Sequence, residues 1–189
     1  MINIFVEGDS DIKFLEDYLS YLEVNKNCFK VESINGKDKL KNIQMKLMKN
    51  SDNNIINLII FDSDDNFKQR RDSLLKFRNE NNLKFELFLF PNNSDSGDLE
   101  ILLENIIPEN NKEIINCMNN YKSCIVNLNR NLTVPINKAK IYAYLEALLP
   151  KKDSKKIHFS SRDYQNKEHW NLDSEYLLSL KGFLLDNID

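Results

Sequence analysis

Four short apolar runs separated by amphipathic stretches fill the first half of this chain, and they leave little choice of fold. Ile2 to Val6 is rich in branched residues and reads as a strand buried on both faces. Cys28 to Ile34 reads as a second strand. Ile55 to Phe61 (Ile-Ile-Asn-Leu-Ile-Ile-Phe) is the strongest of the set, and Phe85 to Phe90 is a fourth, closed by Pro91. Between these runs the apolar period lengthens to that of a helix. From Ser10 onward, Ile12, Leu15, Leu19 and Leu22 form one stripe with Phe14 and Tyr18 beside it. Leu40, Ile43 and Leu47 are in phase across 37–48, and Leu74, Leu75 and Phe77 face inward from 67–79. Strand, helix, strand, helix with short connections predicts an α/β fold: a mostly parallel central sheet of about four strands, with helices on both faces.

The second half reads as mainly helical. Residues 97–107 and a stretch opened by Pro108-Glu109 and running to about Tyr121 have helical spacing. Ile136, Ala139, Tyr142, Ala143, Leu145 and Leu148 mark another helix that Pro150 ends, and Asp173 is the expected N-cap of a last helix carrying Leu177, Leu178 and Leu180. The expected division is a core over 1–107 and a helical extension over 108–189 packed on it as one compact unit. A length of 189 residues suffices for one well-buried core.

Three segments put acidic residues at the ends of expected strands. The first strand runs into Glu7-Gly8-Asp9-Ser10-Asp11, the third into Asp62-Ser63-Asp64-Asp65, and the fourth toward Gly97-Asp98-Leu99-Glu100. In a parallel sheet the carboxyl ends of the strands form the ligand crevice, so these loops can converge. Asp62 and Asp64 are two apart, and an extended chain through both would turn their carboxylates to one side. Gly8 leaves the backbone free to turn. Facing carboxylates raise one another's pKa unless a cation neutralises them, which points to Mg²⁺ or Mn²⁺ on Glu7, Asp62 and Asp64. With oxygen ligands and no Cys or His nearby, zinc is disfavoured. Helix capping by Asp9, Ser10 or Asp65 is the plainer use of such residues.

Charge gives no global attraction to nucleic acid: 26 Lys+Arg against 29 Asp+Glu leave a net charge of -3. A contact with DNA or RNA would fall to a local patch or a partner. The candidates are Lys138, with Lys68, Arg70 or Arg71, and the basic run Lys151, Lys152, Lys155 and Lys156 followed by His158 and Arg162. Solvated helix faces and a basic connector are the alternative readings of these residues. His158 and His169 lack metal-ligand spacing, and Trp170 is expected to pack under the final helix. The three cysteines, Cys28, Cys117 and Cys124, form no CxxC and read as reduced thiols. No basic segment followed by an apolar run opens the chain, and no apolar stretch approaches the roughly 20 residues of a spanning helix. A cytoplasmic protein without membrane contact is expected.

Val6-Glu7-Gly8-Asp9-Ser10-Asp11 with Phe14-Leu15 resembles the first signature of Toprim domains, and Ile60-Phe61-Asp62-Ser63-Asp64 resembles their Asp-x-Asp signature. Phe88 to Asn93, Asp98-Leu99-Glu100, Lys138-Ala139-Lys140-Ile141-Tyr142-Ala143 and Trp170-Asn171-Leu172-Asp173 extend the likeness, more weakly, to a bacterial group of small stand-alone Toprim-like proteins related to OLD-type nucleases. The resemblance implies a Toprim-like three-layer fold. It implies Glu7 as a general acid/base or metal-linked carboxylate, Asp62 and Asp64 as metal ligands, and Glu100 as a further metal or acid/base carboxylate. It implies Mg²⁺-dependent cleavage of DNA or RNA, in a phage-defence or mobile-element setting. Topoisomerase and primase activities are disfavoured, because the chain has no room for a separate tyrosine domain and no zinc-binding module. The alternative is a Toprim-like module that binds metal, nucleotide or a protein partner without hydrolysis.

Overall fold

The computed structural model describes residues 1–34, 40–128, 130–150 and 162–188. Four parallel strands form one sheet: β1 (Ile2–Val6), β2 (Phe29–Ser33), β3 (Ile56–Asp62) and β4 (Glu86–Phe90), in the order β2-β1-β3-β4. Ile4 lies opposite Val31 on one side and Leu58 on the other, and Asp62 lies opposite Phe90.

The period-two alternation of strand side chains sorts the core into two layers. Ile2, Ile4 and Val6 of β1, Leu58 and Ile60 of β3, and Phe88 and Phe90 of β4 point into one layer. Phe5, Ile59, Phe61 and Leu89 point into the other. The second layer is thin, covered by Leu47 of α2 (Gln44–Asp52) and Leu74 of α3 (Phe67–Glu80). The first is thick. It takes Phe14, Leu15, Tyr18 and Leu19 of α1 (Asp9–Tyr21) and Leu99, Leu102 and Leu103 of α4 (Leu99–Asn105). The same layer takes Ile115 of α5 (Lys112–Asn127), Ile141, Tyr144 and Leu145 of α6 (Asn137–Ala147), and Leu180 and Leu184 of α7 (Leu178–Ile188). The expected three-layer α/β fold, a parallel sheet with helices on both faces, is therefore present, and the residues after 107 share one hydrophobic core with those before it. No described helix is long and apolar enough to cross a membrane.

Three local expectations are corrected. The buried face of α1 is Asp11, Phe14, Leu15, Tyr18 and Leu19, while Ile12 and Leu22 are only partly buried. The helix is rotated because its first turn delivers a carboxylate, not an isoleucine, to the interior. The last helix is not capped by Asp173. Ser174 accepts from the Tyr176 N–H at the start of a short 3-10 turn over Glu175–Leu177, and Asp173 instead accepts from the Tyr21 hydroxyl at 2.5 Å. Similarly, the stretch after Pro108 opens with a 3-10 turn over Glu109–Asn111 before α5 begins. The cysteines are free and exposed. Trp170 is buried, in edge contact with Tyr144 of α6 at 5.5 Å and tilted against Tyr164 at 5.6 Å, so its role is packing.

Candidate metal centre

The strand order reverses between β1 and β3. The chain leaves β1 for α1 in the thick layer and leaves β3 for α3 in the thin one. Loops that depart to opposite faces open a crevice at the carboxyl ends of those two strands. A cleft of about 390 Å³ lies there, lined by Glu7, Gly8, Asp9, Ser10, Asp11, Asp62, Asp64, Asp98, Glu100, Ile136, Asn137 and Lys138. All four expected carboxylates, Glu7, Asp62, Asp64 and Glu100, meet in this cleft with Lys138 at its rim.

Each carboxylate is held by a different device. Asp62 is the last residue of β3, and its Oδ1 accepts from the Leu99 N–H at 3.1 Å, the first residue of α4. Glu7 follows β1 and is ion-paired through Oε1 to Arg70 Nη2 of α3 at 2.9 Å. Asp98 caps α4 by accepting from the Ile101 N–H at 2.9 Å and reaches Asn137 of α6 at 3.3 Å. That bond, with the Lys140–Glu104 pair at 2.6 Å, holds α6 against α4 beside the cleft.

Asp64 arrives differently from expectation. The extended chain stops at Asp62, and Asp64 has φ 53 in the left-handed region, so the alternation argument for its direction does not apply. Its loop is fixed instead to the loop after β4. The Asp64 N–H donates to Gly97 O at 3.0 Å, and the buried Ser63 hydroxyl accepts from the Gly97 N–H at 2.8 Å while facing Asp95 O at 2.9 Å. Gly97 itself has φ +149, and a Cβ there would stand 2.6 Å from Ile101 Cδ1. Gly97→Ala is therefore expected to lower stability by about 1–3 kcal/mol through backbone strain, read by denaturant unfolding, and to loosen the Asp64 loop. Gly8, by contrast, is extended (φ -148), and an added Cβ would come no nearer than 3.8 Å to Asp11 Oδ2, so nothing there requires glycine.

Asp11 is the member that sequence reasoning underrated. It is 8% exposed, and its Oδ2 accepts from the Gly8 N–H at 2.8 Å, so it serves the helix terminus and the cleft together. Burial pushes its carboxyl up to about 7; the Gly8 N–H opposes this, Glu100 and Glu7 add to it, and Lys138 opposes it. Asp62 is pushed up to about 9, first by burial and then by Asp11, Glu7, Glu100 and Asp98. Glu100 is raised by burial and by Asp98, with Lys138 and Arg162 pulling the other way. Several carboxyls thus share more negative charge than their surroundings can stabilise, the condition a divalent cation relieves.

An all-oxygen donor set of this charge fits a hard divalent ion in chemical type. Its geometry is not closed: among the described residues, no three Asp, Glu, His or Cys side chains are grouped so that they could hold an ion as they stand. The expected basic residues divide. Lys138 lines the cleft, Lys68 and Arg71 are exposed on α3, and Arg70 is turned to Glu7. Arg162, expected in an exposed basic run, is 3% exposed. Lys151, Lys152, Lys155, Lys156 and His158 lie outside the described residues.

Fold and cleft together define an α/β protein with an acidic crevice at the switch point of a parallel sheet. The chain belongs to the family described as "Protein of unknown function (DUF3226)", which it matches over residues 2–188. No curated protein and no solved structure matches it.

Proposed function

We propose that this cleft binds Mg²⁺ or Mn²⁺ through Asp62 with Glu7, Asp64 and Glu100, and that the chain is a divalent-metal-dependent phosphodiester hydrolase acting on DNA or RNA. The observation that carries the reading is Asp62, at a strand end in the switch-point crevice, its carboxyl driven up to about 9 by burial and four neighbouring carboxyls. The Toprim-like Glu-Gly and Asp-x-Asp signatures, with Glu100 after the fourth strand, support the substrate class and a role in phage defence. When bound, a divalent ion neutralises the carboxylates and polarises the phosphodiester. Lys138 at the rim meets the incoming phosphate. Asp11, close to neutrality, is suited to pass a proton. In the reaction a water oxygen bonds to phosphorus, the bond from phosphorus to the leaving oxygen breaks, and that oxygen takes up a proton. The products are a phosphomonoester and a hydroxyl.

The second reading is a module that binds metal, nucleotide or a protein partner without hydrolysis. The Arg70–Glu7 ion pair favours it, because it commits to a guanidinium one of the carboxylates the reaction would use. Incubating the protein with supercoiled plasmid, single-stranded DNA and RNA in Mg²⁺ or Mn²⁺ separates the two. Cleavage is expected to fall by roughly 100-fold or more in Glu7→Ala and Asp62→Ala. Cation binding without turnover on any of the three substrates would leave the binding module.

A further inference from the structure

Arg162 is the most unusual charged group in the molecule. Its side chain is 3% exposed, its Nη1 donates to the Tyr164 hydroxyl at 3.0 Å, and its guanidinium lies 4.5 Å from the Tyr142 ring centre. The two remaining positions, Nε and Nη2, are buried without a hydrogen-bond partner among the described residues. Those two nitrogens form one edge of the guanidinium, with parallel N–H bonds spaced for two oxygens of a phosphate or carboxylate. An arginine does not shed its charge, and although the Glu100 carboxyl acts on it electrostatically, no described residue hydrogen-bonds its buried Nε/Nη2 edge, which is strongly unfavourable. A vacant bidentate edge in the interior therefore calls for an anion.

Helix geometry locates that edge relative to the cleft. Lys138 lines the cleft, and Tyr142, on which Arg162 rests, is four residues on, hence on the same face of α6 one turn deeper. On the opposite wall Asp11 lines the cleft, and Phe14, three residues on, holds the Tyr164 ring edge-on at 5.4 Å. Arg162 and Tyr164 thus lie between α1 and α6, about one turn beneath the residues that line the cleft and not among them. Two fields agree with this placement: Arg162 acts on the Glu100 carboxyl, and Glu100 and Asp11 act on the Tyr164 phenol.

We propose that Arg162 is the phosphate receptor of the cleft, taking two non-bridging oxygens of a nucleotide phosphate on its Nε/Nη2 edge. The proposal rests on the phosphodiester reading and supplies what that reading lacks. A cleft lined by seven carboxylates and one lysine repels phosphate. A cation at the rim and a guanidinium about one turn beneath the cleft provide two positive points for one phosphate group. Because the edge is closed to bulk water, it gains its partner only when the anion moves in between α1 and α6.

The test is binding of thymidine 5′-monophosphate in the presence of Mn²⁺, by calorimetry, for wild type, Arg162→Met and Arg162→Lys. Arg162→Met is expected to bind the nucleotide at least about tenfold more weakly while binding Mn²⁺ alone as wild type does. Arg162→Lys, a point charge without a fork, is expected not to rescue it. Failure of the wild type to bind the nucleotide, or equal affinity in wild type and Arg162→Met, would each overturn the proposal. Nucleotide binding through Arg162 without cleavage of any nucleic acid would instead overturn the hydrolase and leave the receptor. Wild-type cleavage by Arg162→Met would do the reverse.

Discussion

Asp62→Asn is expected to stabilise the metal-free protein at pH 8 and to abolish its response to Mn²⁺. In the folded chain the Asp62 carboxyl is raised to about 9. In the unfolded chain it titrates at about 3.9. Between those values the folded state holds a proton that the unfolded state has released, so stability is fully present below the lower pKa and is lost as pH rises toward the upper one. Asparagine does not titrate and keeps the oxygen that accepts from Leu99. The melting temperature of the variant should exceed that of wild type by roughly 5 °C at pH 8, with the difference vanishing near pH 4. Adding Mn²⁺ should invert the order, raising wild type and leaving the variant unmoved. A variant less stable than wild type at both pH values would show that the carboxylate is structural. Asp11, raised to about 7, contributes in the same direction over a narrower window, from its unfolded value up to neutrality.

Trp170→Ala is expected to have the largest effect on folding. The indole is 1% exposed and bridges Tyr144 of α6 to Tyr164, whose own ring packs on Phe14 of α1. Truncation would leave a cavity beside Tyr144 of α6 and Tyr164 and cost about 3–5 kcal/mol. Because this cluster is continuous with the β1, β3 and β4 side chains, the loss should appear in one cooperative transition followed by circular dichroism. Two separated transitions, with only the second-half helices melting early, would contradict a shared core. Trp170→Phe should recover much of the loss, since the indole Nε1 has no hydrogen-bond partner among the described residues to forfeit.

The strands were legible because burial on both faces leaves an unbroken apolar run, and β1, β3 and β4 differ from expectation by about a residue. The convergence of Glu7, Asp62 and Glu100 was legible for a related reason: strand order in a parallel sheet decides which loops share an edge, and the acidic residues follow strands. Other features depend on contacts that periodicity does not encode. Asp64 faces the cleft through a left-handed turn held by Gly97, 33 residues on in the chain (97 − 64), not through strand alternation. Arg70 finds Glu7 across 63 positions, and its neighbours Lys68 and Arg71 have the same local character yet stay in solvent. Arg162 follows a run of lysines and reads as surface. Among the described residues, the rings of Tyr142 and Tyr164, gathered from separate segments, hold it inside. Asp11, within the Glu7 to Asp11 stretch, also carried a legible signal of burial. An acidic residue three positions before Phe14 and four before Leu15 lies on the face that a buried helix turns inward.

The unequal cover of the two sheet faces has a consequence for the order in which the chain is made. A nascent chain emerges N-terminus first and its early segments begin to fold while later ones are still being added. By the time residue 105 has emerged, the four strands and every carboxylate of the cleft are available. The wall formed by Asn137 and Lys138, and the apolar lid of Tyr144, Tyr164, Trp170 and Leu180, are not. Until they arrive, the sheet face under α1 and α4 is only partly covered, and a prematurely released product would expose apolar surface beside the acidic residues. Order of synthesis therefore sets order of closure: the acidic crevice gains its second wall and its apolar cover only after the segments beyond residue 105 have been made.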